Sequence, residues 1–253
     1  MTAVMRPLFA CWNEVAARLH NSRTIALFLD FDGTLVDIRP RPELVRVRPA
    51  VRRALAALAG SRRFRVWVIS ARRRADIQAR VRAAAVRYLG LYGWERTSIV
   101  PAPSGPIVQL RALLTGALPA HPALWIEDKQ HTLAVHYRGA PEPVWRLAEE
   151  RLCRAVKPWR GCLRIAPGKA VWEVLPRDLG DKGAAVRREL AALPRPLLPV
   201  YIGDDLSDEP AFASVAQGIA VRVGPARRTR ARYRLSSALQ VLQFLERLQV
   251  QFL

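Results

Sequence analysis

Residues 24–34 read TIALFLDFDGT, a run of apolar side chains that ends in two aspartates and a glycine. Because the run has no polar alternation, it predicts a strand buried on both faces, as in a parallel sheet covered by helices. Ligands bind beyond the carboxyl ends of the strands in such sheets. Asp30 and Asp32 lie at that end, and residues two apart along a strand face the same side. The stretch therefore predicts an α/β fold with two carboxylates beside one ligand, although a solvated turn would use the same residues.

Further apolar runs of this kind follow, and segments with helical spacing lie between them. We expect strands at Phe64–Ser70, 197–204 and 218–224. We expect helices at 8–19, Pro49–Leu58, Ala75–Gly90, 181–193, 208–216 and 236–248. Such alternation of strand and helix is typical of an α/β fold in which helices flank a parallel sheet.

The middle of the chain has a different pattern. Residues 100–106, VPAPSGP, are typical of a linker, and Leu124–Arg138 predicts two strands joined by a polar turn. Leu163–Pro176 predicts a hairpin around Pro167-Gly168. The expected domains are a core formed by residues 1–100 and 178–253 and a small α+β insert formed by residues 101–177.

Composition excludes several classes of protein. The chain has 253 residues, of which 51% are apolar and 25% charged, so it is neither a disordered chain nor a small disulfide scaffold. The formal net charge of +20, taken alone, favours a nucleic acid or an anionic membrane as partner. However, 37 of the 41 basic residues are arginines and only four are lysines, a bias that coding preference also produces. The charge by itself therefore decides nothing about function.

The cysteines and the N-terminal residues bear on the compartment. Cys11, Cys153 and Cys162 are widely spaced without a CxxC pair, which argues against a disulfide framework and a structural zinc site. No window reaches the ~20 apolar residues that a membrane span needs, and residues 1–20 do not resemble a signal peptide. We expect a soluble, cytoplasmic protein.

A second acidic cluster, GDDLSDE, occupies Gly203–Glu209 directly after a predicted strand. Its carboxylates, with no histidine or thiolate nearby, suit a hard cation such as Mg²⁺. The alternative interpretation is a helix N-terminus, with Ser207 or Asp208 as the N-cap and Pro210 in the first turn. Both interpretations hold if one aspartate caps the helix while another binds metal.

Two further residues are candidates for binding a phosphate group. Ser70 ends a predicted strand, where its hydroxyl can reach a phosphate oxygen or cap the next element. Lys182 opens a predicted helix, where free N–H groups and the helix dipole favour anions, although a surface lysine is the simpler interpretation. Neither Ser70 nor Lys182 by itself predicts a phosphate-binding site.

In this order, the four features resemble the motifs of the haloacid-dehalogenase-like (HAD) phosphohydrolases over about residues 25–210. The resemblance implies a HAD-like Rossmannoid core with a cap domain, Mg²⁺ as the cofactor and an aspartyl-phosphate intermediate. It implies that Asp30 is the nucleophile and that Asp32 is the acid and base. Ser70 and Lys182 would hold the phosphoryl oxygens. The implied metal ligands are Asp30, the Asp32 carbonyl group, Asp204, and Asp205 or Asp208.

Three segments resemble the trehalose-6-phosphate phosphatases more narrowly. The run IEDKQHTLAVHYR (126–138) is similar to that family's cap segment. The runs VWEVLPRDLGDKG (171–183) and YIGDDLSDEPAF (201–212) are similar to its third and fourth motif regions. The residues that this resemblance implies in contact with the sugar or its phosphate are Lys129, Arg138 and Glu173.

The leading hypothesis is a Mg²⁺-dependent phosphatase that hydrolyses trehalose 6-phosphate to trehalose and phosphate and that works beside a trehalose-6-phosphate synthase. A related alternative is a HAD-type phosphatase for another sugar phosphate, such as sucrose 6-phosphate or the phosphate of a glucosylated osmolyte. The third hypothesis, from a different class, is a basic nucleic-acid-binding protein on a degenerate HAD fold. The intact acidic motifs and Lys182 argue against it. We therefore expect a small-molecule substrate, and neither nucleic acid nor membrane as a partner.

Overall fold

The structure is a computed structural model that describes residues 5–97 and 102–253. The chain divides into two compact units, the first formed by Met1–Ser98 with Gly180–Leu253 and the second by Ile99–Leu179. The boundary predicted between residues 100 and 101 lies outside the described residues, as do the first two residues of the predicted linker.

The described residues form eleven strands and eight α-helices, together with short 3-10 helices. The strands are β1 (Arg6–Pro7), β2 (Ile25–Asp30), β3 (Phe64–Ile69), β4 (Arg87–Leu89), β5 (Trp125–Asp128), β6 (Leu133–His136), β7 (Leu163–Gly168), β8 (Val171–Pro176), β9 (Leu198–Gly203), β10 (Ile219–Val223) and β11 (Tyr233–Leu235). The helices are α1 (Trp12–His20), α2 (Pro49–Gly60), α3 (Arg74–Val81), α4 (Gly105–Ala117), α5 (Glu142–Val156), α6 (Lys182–Ala191), α7 (Glu209–Ser214) and α8 (Ala238–Phe252). Within the described parts of the chain, none of these helices has both the length and the apolar character that crossing a membrane requires.

The larger unit contains a seven-stranded sheet in the order β1-β11-β10-β9-β2-β3-β4. The neighbouring strands of this sheet are parallel. The chain runs from β2 outward to β3 on one side and later returns to place β9 on the other side, so the strand order reverses at β2. Because ligands bind beyond the carboxyl ends of the strands at such a reversal, β2 determines where the site lies.

Strand β2 is buried along its whole length because helices cover both faces of the sheet. Leu27 and Leu29 pack on one side with apolar residues of α1, α2 and α8. Phe28 faces the other side, packs with residues of α6 and α7, and stacks on Trp67 with 4.5 Å between the ring centroids. Both faces of the strand are therefore interior, which explains its continuous apolar sequence. The α/β fold class expected from the sequence is confirmed.

The smaller unit contains a four-stranded antiparallel sheet in the order β5-β6-β8-β7. Helices α4 and α5 cover one face of this sheet, where Leu110 and Leu152 pack against Leu133 and Trp172. Glu173 alternates with Trp172 along β8 and therefore lies on the opposite face. The smaller unit is thus an α+β structure with one apolar and one polar sheet face.

The helix predicted at Ala75–Gly90 is wrong in its second half. Helix α3 ends at Val81, and Arg82 after it adopts a left-handed conformation with φ 49°. Strand β4 then pairs in parallel with the last three residues of β3. Helical spacing continues through this segment, but pairing with the open edge of β3 and burial of Tyr88 outweigh the local preference.

The predicted hairpin of Leu163–Pro176 is confirmed as β7 and β8, but its turn lies at Lys169-Ala170, two residues beyond Pro167-Gly168. Gly168 pairs with Val171, so the loop has two residues, and Ala170 takes φ 60°. In this register Ile165 lies opposite Val174 on the apolar face of the sheet. Burial of that face sets the register, and it outweighs the turn preference of proline and glycine.

The sequence-based expectations also missed several elements. Strands β1 and β11 form one edge of the large sheet, and α4 begins inside the predicted linker at Gly105. Strand β11 follows an arginine-rich run that has no apolar alternation before Tyr233. Pairing with β10 buries Tyr233 completely, so tertiary contacts rather than local sequence specify this strand.

Several arginines bind main-chain carbonyl groups at the ends of helices. Arg63 donates to two carbonyl oxygens at the end of α1, Arg52 to two at the end of α3 and Arg151 to one at the end of α4. These carbonyl groups lack partners inside the helix and carry partial negative charge. Part of the large basic excess therefore stabilises the fold.

Replacing Phe28 by alanine is expected to lower the free energy of unfolding of the larger unit by about 3–5 kcal/mol. Phe28 is fully buried against Trp67, so the substitution removes a ring and leaves a cavity. Urea unfolding followed by circular dichroism measures the change. Val250→Ala is the control, because 87% of Val250 is exposed, and it is expected to change stability by less than ~0.5 kcal/mol. A Phe28→Ala effect as small as that of the control would contradict the assigned core.

Candidate active site

Three adjacent strands end at one edge of the large sheet, and each brings a predicted site residue there. Strand β2 ends at Asp30, β3 is followed by Ser70, and β9 is followed by Asp204. Because these strands are parallel neighbours, their carboxyl ends lie side by side. The fold therefore brings together residues that are far apart in the sequence.

Asp30, Asp204 and Asp208 form a buried carboxylate cluster at this edge. Each residue offers one oxygen, and these oxygens all lie within 4.8 Å of one another. Asp208 is fully buried, and Asp30 and Asp204 are 4% and 5% exposed. Carboxylates held this close repel one another unless cations or protons balance their charge.

The Lys182 ammonium group balances part of this charge. Its Nζ donates to Asp30 Oδ1 and to Asp208 Oδ1, both at 2.7 Å. Burial by itself lowers the pKa of a lysine, but the carboxylates of Asp208 and Asp30 raise the pKa of Lys182 well above its usual value. Lys182 is therefore a buried cation, and its interpretation as a surface lysine is wrong.

Asp208 uses both of its oxygens to hold its neighbours. Its Oδ1 accepts hydrogen bonds from Lys182 Nζ and from the Tyr201 hydroxyl, both at 2.7 Å. Its Oδ2 accepts from the amide groups of Asp204 and Asp205, at 2.9 and 2.8 Å. These four bonds connect the loop after β9 to the start of α6.

The charge of the cluster fits a divalent cation. Burial raises the pKa of Asp30 well above its usual value; Lys182 lowers this pKa, and Asp208 and Asp204 raise it further. Lys182 pairs with two of the three carboxylates, so the three carboxylates and this ammonium group carry net negative charge when all are ionised. Mg²⁺ takes oxygen ligands of this kind, usually one or two carboxylates together with water and substrate oxygens. The donor set therefore matches that cation.

Gly33 lets the chain pass directly against Asp204. It has φ 82°, in the left-handed region that glycine adopts without strain. A Cβ atom at this position would lie 2.1 Å from Asp204 Oδ2. The turn after β2 therefore requires glycine for its backbone conformation and for the approach of the Asp204 carboxylate.

Asp32 is bound by Arg72 in a two-pronged ion pair. Arg72 Nε donates to Asp32 Oδ2 at 2.7 Å and Nη2 donates to Asp32 Oδ1 at 2.9 Å. Burial lowers the pKa of Arg72, but its bonds with Asp32 and Asp76 raise that pKa by more, so the guanidinium stays charged. The Asp32 side chain is 37% exposed, against 6% for Asp30. Asp32 is thus oriented by the protein and also open to solvent.

Ser70 and Asp205 adjoin the cluster and contact main-chain groups. The Ser70 hydroxyl is buried and accepts a hydrogen bond from the Arg72 amide at 3.1 Å. Asp205 is half-buried and is the N-cap residue of the 3-10 helix Leu206–Asp208. Asp208 is in turn the N-cap residue of α7, with Pro210 in the first turn. The interpretation of this segment as a helix N-terminus is therefore confirmed for Asp208, and metal binding by the segment stays a prediction.

In the smaller unit, Lys129 and Glu173 form a buried ion pair. Lys129 Nζ lies 2.7 Å from Glu173 Oε1, and the two side chains are 6% and 7% exposed. The other oxygen, Glu173 Oε2, is buried and has no hydrogen-bond partner. Leaving a buried acceptor unsatisfied is unfavourable, and a ligand hydroxyl group would satisfy it.

Arg138 has a different environment from this pair. It is exposed, lies two residues beyond β6, and donates to the carbonyl oxygen of Lys169 at 2.8 Å. Closer to the pair, Glu127 Oε2 lies 3.9 Å from Lys129 Nζ and 2.8 Å from His136 Nε2. The structure therefore joins Lys129 directly to Glu173 and places Arg138 beside the hairpin turn.

Sequence reasoning missed the roles of Arg72 and Tyr201. Arg72 follows Ser70 by two residues, but nothing local distinguishes it among 37 arginines. Tyr201 lies in an apolar strand three residues before Asp204. A buried tyrosine hydroxyl needs a hydrogen-bond partner, and this was the available signal for Tyr201.

Solved structures share this fold. The C-terminal domain of trehalose-6-phosphate phosphatase from Candida albicans matches with a TM-score of 0.84 and 21% identity, covering 99% of each chain. A haloacid dehalogenase-like hydrolase from Bacteroides thetaiotaomicron matches with a TM-score of 0.60 and 14% identity, covering 89% of this chain and 99% of that chain. The fold is therefore that of the HAD-like hydrolases.

Sequence similarity narrows this class to one family. The family model described as trehalose-phosphatase matches residues 28–238, so the chain belongs to the trehalose-phosphatase family. The trehalose-phosphate phosphatase of Mycobacterium tuberculosis is 34% identical over a gapped alignment of 249 positions, which covers 90% of this chain and 62% of that protein. An uncharacterized glycosyl hydrolase of the same species is 37% identical over a gapped alignment of 254 positions, which covers 91% of this chain and 19% of that protein. The chain thus spans less than two thirds of the length of these relatives.

Lys182→Met is expected to destabilise the larger unit by about 3–5 kcal/mol, because it leaves Asp30 and Asp208 buried without their shared cation. Asp30→Asn removes one of these charges, so the double variant is expected to be more stable than Lys182→Met alone. Urea unfolding of both single variants and the double variant in EDTA completes the thermodynamic cycle. Strictly additive losses would show that the two residues do not interact.

Proposed function

We propose that the protein is a Mg²⁺-dependent phosphatase that hydrolyses trehalose 6-phosphate to trehalose and phosphate through an aspartyl-phosphate on Asp30. The contact of Asp30 with Lys182 inside the buried carboxylate cluster carries the proposal. Phosphoryl transfer needs a nucleophile in line with the leaving group and positive charge at the phosphoryl oxygens. Membership in the trehalose-phosphatase family supports the same activity.

The proposed Mg²⁺ ligands are Asp30, Asp204 and the main-chain carbonyl group of Asp32. Each carboxylate oxygen of Asp208 already accepts two hydrogen bonds from neighbouring residues. We therefore assign Asp208 to positioning Lys182 and the loop that carries Asp204. The half-buried Asp205 carboxylate is assigned to the water shell of the ion. When bound, Mg²⁺ supplies positive charge that neutralises the phosphoryl oxygens and lowers repulsion against Asp30.

The reaction proceeds in two displacements at phosphorus. In the first, a carboxylate oxygen of Asp30 bonds to phosphorus, the bond from phosphorus to the sugar oxygen breaks, and Asp32, which enters this step in its protonated form, gives its proton to that oxygen. In the second, water attacks phosphorus, Asp32 takes a proton from the water, and Asp30 leaves as a carboxylate. Lys182 and the Ser70 hydroxyl donate to the phosphoryl oxygens in both steps.

Arg72 orients Asp32 for this work. Its guanidinium group binds both Asp32 oxygens and also Asp76, so the Asp32 carboxyl group has one preferred orientation. The 37% exposure of the Asp32 side chain leaves it open to a sugar oxygen or a water molecule. Asp32 therefore suits a residue that exchanges protons, whereas the buried Asp30 suits a nucleophile.

We assign substrate recognition to the polar face of the smaller unit. Glu173 Oε2, a buried acceptor without a partner, accepts a hydrogen bond from a sugar hydroxyl group. Lys129 donates to a sugar oxygen while it stays paired with Glu173, and the exposed Arg138 supplies charge for the anionic substrate. A trehalose-6-phosphate synthase is the proposed source of the substrate.

Phosphate release from a panel of sugar phosphates tests the proposal. Trehalose 6-phosphate is expected to be hydrolysed faster than sucrose 6-phosphate and glucose 6-phosphate. Activity is expected to disappear in EDTA and to return with Mg²⁺. Asp30→Asn is expected to lower kcat on the order of 10³-fold or more, because it removes the nucleophile.

The panel also separates the alternatives. Equal rates on trehalose 6-phosphate and glucose 6-phosphate would reject the disaccharide substrate, and a preference for another sugar phosphate would identify a different HAD-type phosphatase. Absence of turnover on every sugar phosphate, with binding of nucleic acid, would support the basic binding protein.

Glu173→Gln is expected to raise KM for trehalose 6-phosphate by about 10–100-fold with a smaller effect on kcat, because it weakens one charge-assisted hydrogen bond to the sugar. Steady-state kinetics on trehalose 6-phosphate measure both constants. Glu150→Gln is the matched control, since Glu150 is an exposed residue of α5 paired with Arg154. If both variants keep the wild-type KM, the polar face of the smaller unit does not bind the sugar.

A further inference from the structure

Arg222 is a fully buried arginine behind the metal-binding loop. It lies on β10 opposite Gly203 of β9, and its exposure is 0%. Its Nη2 donates to the main-chain oxygen of Asp204 at 2.6 Å. The residue therefore holds the peptide group of a proposed metal ligand, from the interior side of the sheet.

The environment of Arg222 is unfavourable for an arginine. Its Nε and Nη1 atoms are buried without hydrogen-bond partners, and Glu209 Oε1 forms an ion pair with Nη1 at 3.5 Å. Burial and the neighbouring Arg227 lower the pKa of Arg222. An apolar side chain of similar volume commonly serves stability at least as well as such a buried charge. Fold stability alone therefore does not explain an arginine at this position.

Asp208 and Arg222 together bind both main-chain groups of Asp204. The Asp204 amide donates to Asp208 Oδ2 at 2.9 Å, while the Asp204 carbonyl oxygen accepts from Arg222. With both main-chain groups held, the direction of the Asp204 Cα–Cβ bond is fixed, and the Asp204 carboxylate lies against Gly33. Asp208 and Arg222 thus orient the same ligand from opposite ends of its backbone.

Glu209 holds Arg222 in place from the far side. Glu209 Oε1 accepts from the Thr229 hydroxyl at 2.6 Å, and Oε2 accepts from the Arg230 amide at 2.9 Å. Both donors belong to the arginine-rich loop 224–232 between β10 and β11. The chain of contacts therefore runs from this loop through Glu209 and Arg222 to Asp204.

We propose that Arg222 is a positioning residue that orients Asp204 for binding the divalent cation, with Glu209, itself bound by Thr229, as the ion-pair partner of its guanidinium group. The inference rests on the proposed function, since that function assigns Asp204 to the metal. Arg222 itself touches neither metal nor substrate in this assignment and acts through the Asp204 carbonyl group.

Two effects of removing Arg222 have opposite signs, and this makes the proposal testable. The guanidinium repels a nearby divalent cation, so loss of its charge alone would tighten metal binding. Loss of the hydrogen bond to the Asp204 carbonyl oxygen would weaken metal binding. Removal of a group that orients a metal ligand commonly lowers the affinity for the metal about 10–100-fold. A purely structural role would lower the melting temperature and leave the metal affinity of the folded protein unchanged.

The test measures Mn²⁺ binding to the full-length, EDTA-stripped chain by electron paramagnetic resonance, with thermal unfolding in parallel. Arg222→Met is expected to weaken Mn²⁺ binding about 10–100-fold with little loss of melting temperature. Arg222→Lys keeps a donor and a charge and is expected to recover part of the affinity. The control is Arg63→Met, which also removes an arginine that donates to main-chain carbonyl groups, but at the end of α1, and is expected to keep wild-type affinity.

Thr229→Val supplies a second variant if Arg222→Met does not fold. It removes the hydroxyl donor to Glu209 at nearly constant volume and is expected to weaken Mn²⁺ binding severalfold, whereas Thr115→Val on α4 is expected to leave it unchanged. Wild-type affinity in Arg222→Met, or in Thr229→Val where that variant is used, overturns the inference; tighter binding does so as well. A wild-type chain that binds no Mn²⁺ overturns the proposed metal site and this inference together. If the wild-type chain binds Mn²⁺ and the Arg222→Met variant binds it with the same affinity, the inference alone is overturned and the proposed metal site stands.

Discussion

The ammonium group of Lys182, held between Asp30 and Asp208, is the interaction on which the site depends. It joins the end of β2 to the start of α6, although 152 residues separate Lys182 from Asp30 in the chain. Its positive charge, buried at 3% exposure, offsets part of the repulsion among the three carboxylates that lie together there. The same contact joins the two sequence segments that form the larger unit, since α6 follows the residues of the smaller unit in the sequence.

Around this contact, the site is built mainly from bonds to main-chain groups. Asp208 accepts from two amide groups, Arg222 donates to a carbonyl oxygen, and Gly33 brings its backbone against a carboxylate. Main-chain atoms move less freely than side chains, so these bonds fix the backbone position from which the Asp204 side chain projects. Asp32, the proposed acid and base, is held differently, by the side chain of Arg72, and its side chain stays 37% exposed.

How far the sequence predicted this protein depended on whether a feature was local. The buried strand ending at Asp30, the second acidic segment and the lysine at the start of α6 are local patterns, and their neighbourhood in space followed from the parallel arrangement of strands. Strand β4 and the turn at Lys169-Ala170 were mispredicted, because pairing with another strand overrode helical spacing and turn preference. Arg72 and Arg222 could not be singled out, since both look like the other arginines until the fold buries them.

The sequence by itself determined the fold class, the edge of the sheet at which the site lies and the carboxylates and lysine that occupy it. These features follow from short apolar runs that end in charged residues, a pattern that favours strands buried on both faces. Tertiary structure decided which charges are paired, because the paired residues come from segments that are far apart in the sequence. It paired Lys182 with Asp30 and Asp208, bound Arg72 to Asp32, and buried Arg222 beside the Asp204 carbonyl group. Burial in a medium of low dielectric makes such pairings energetically decisive, and burial is a property of the folded chain alone.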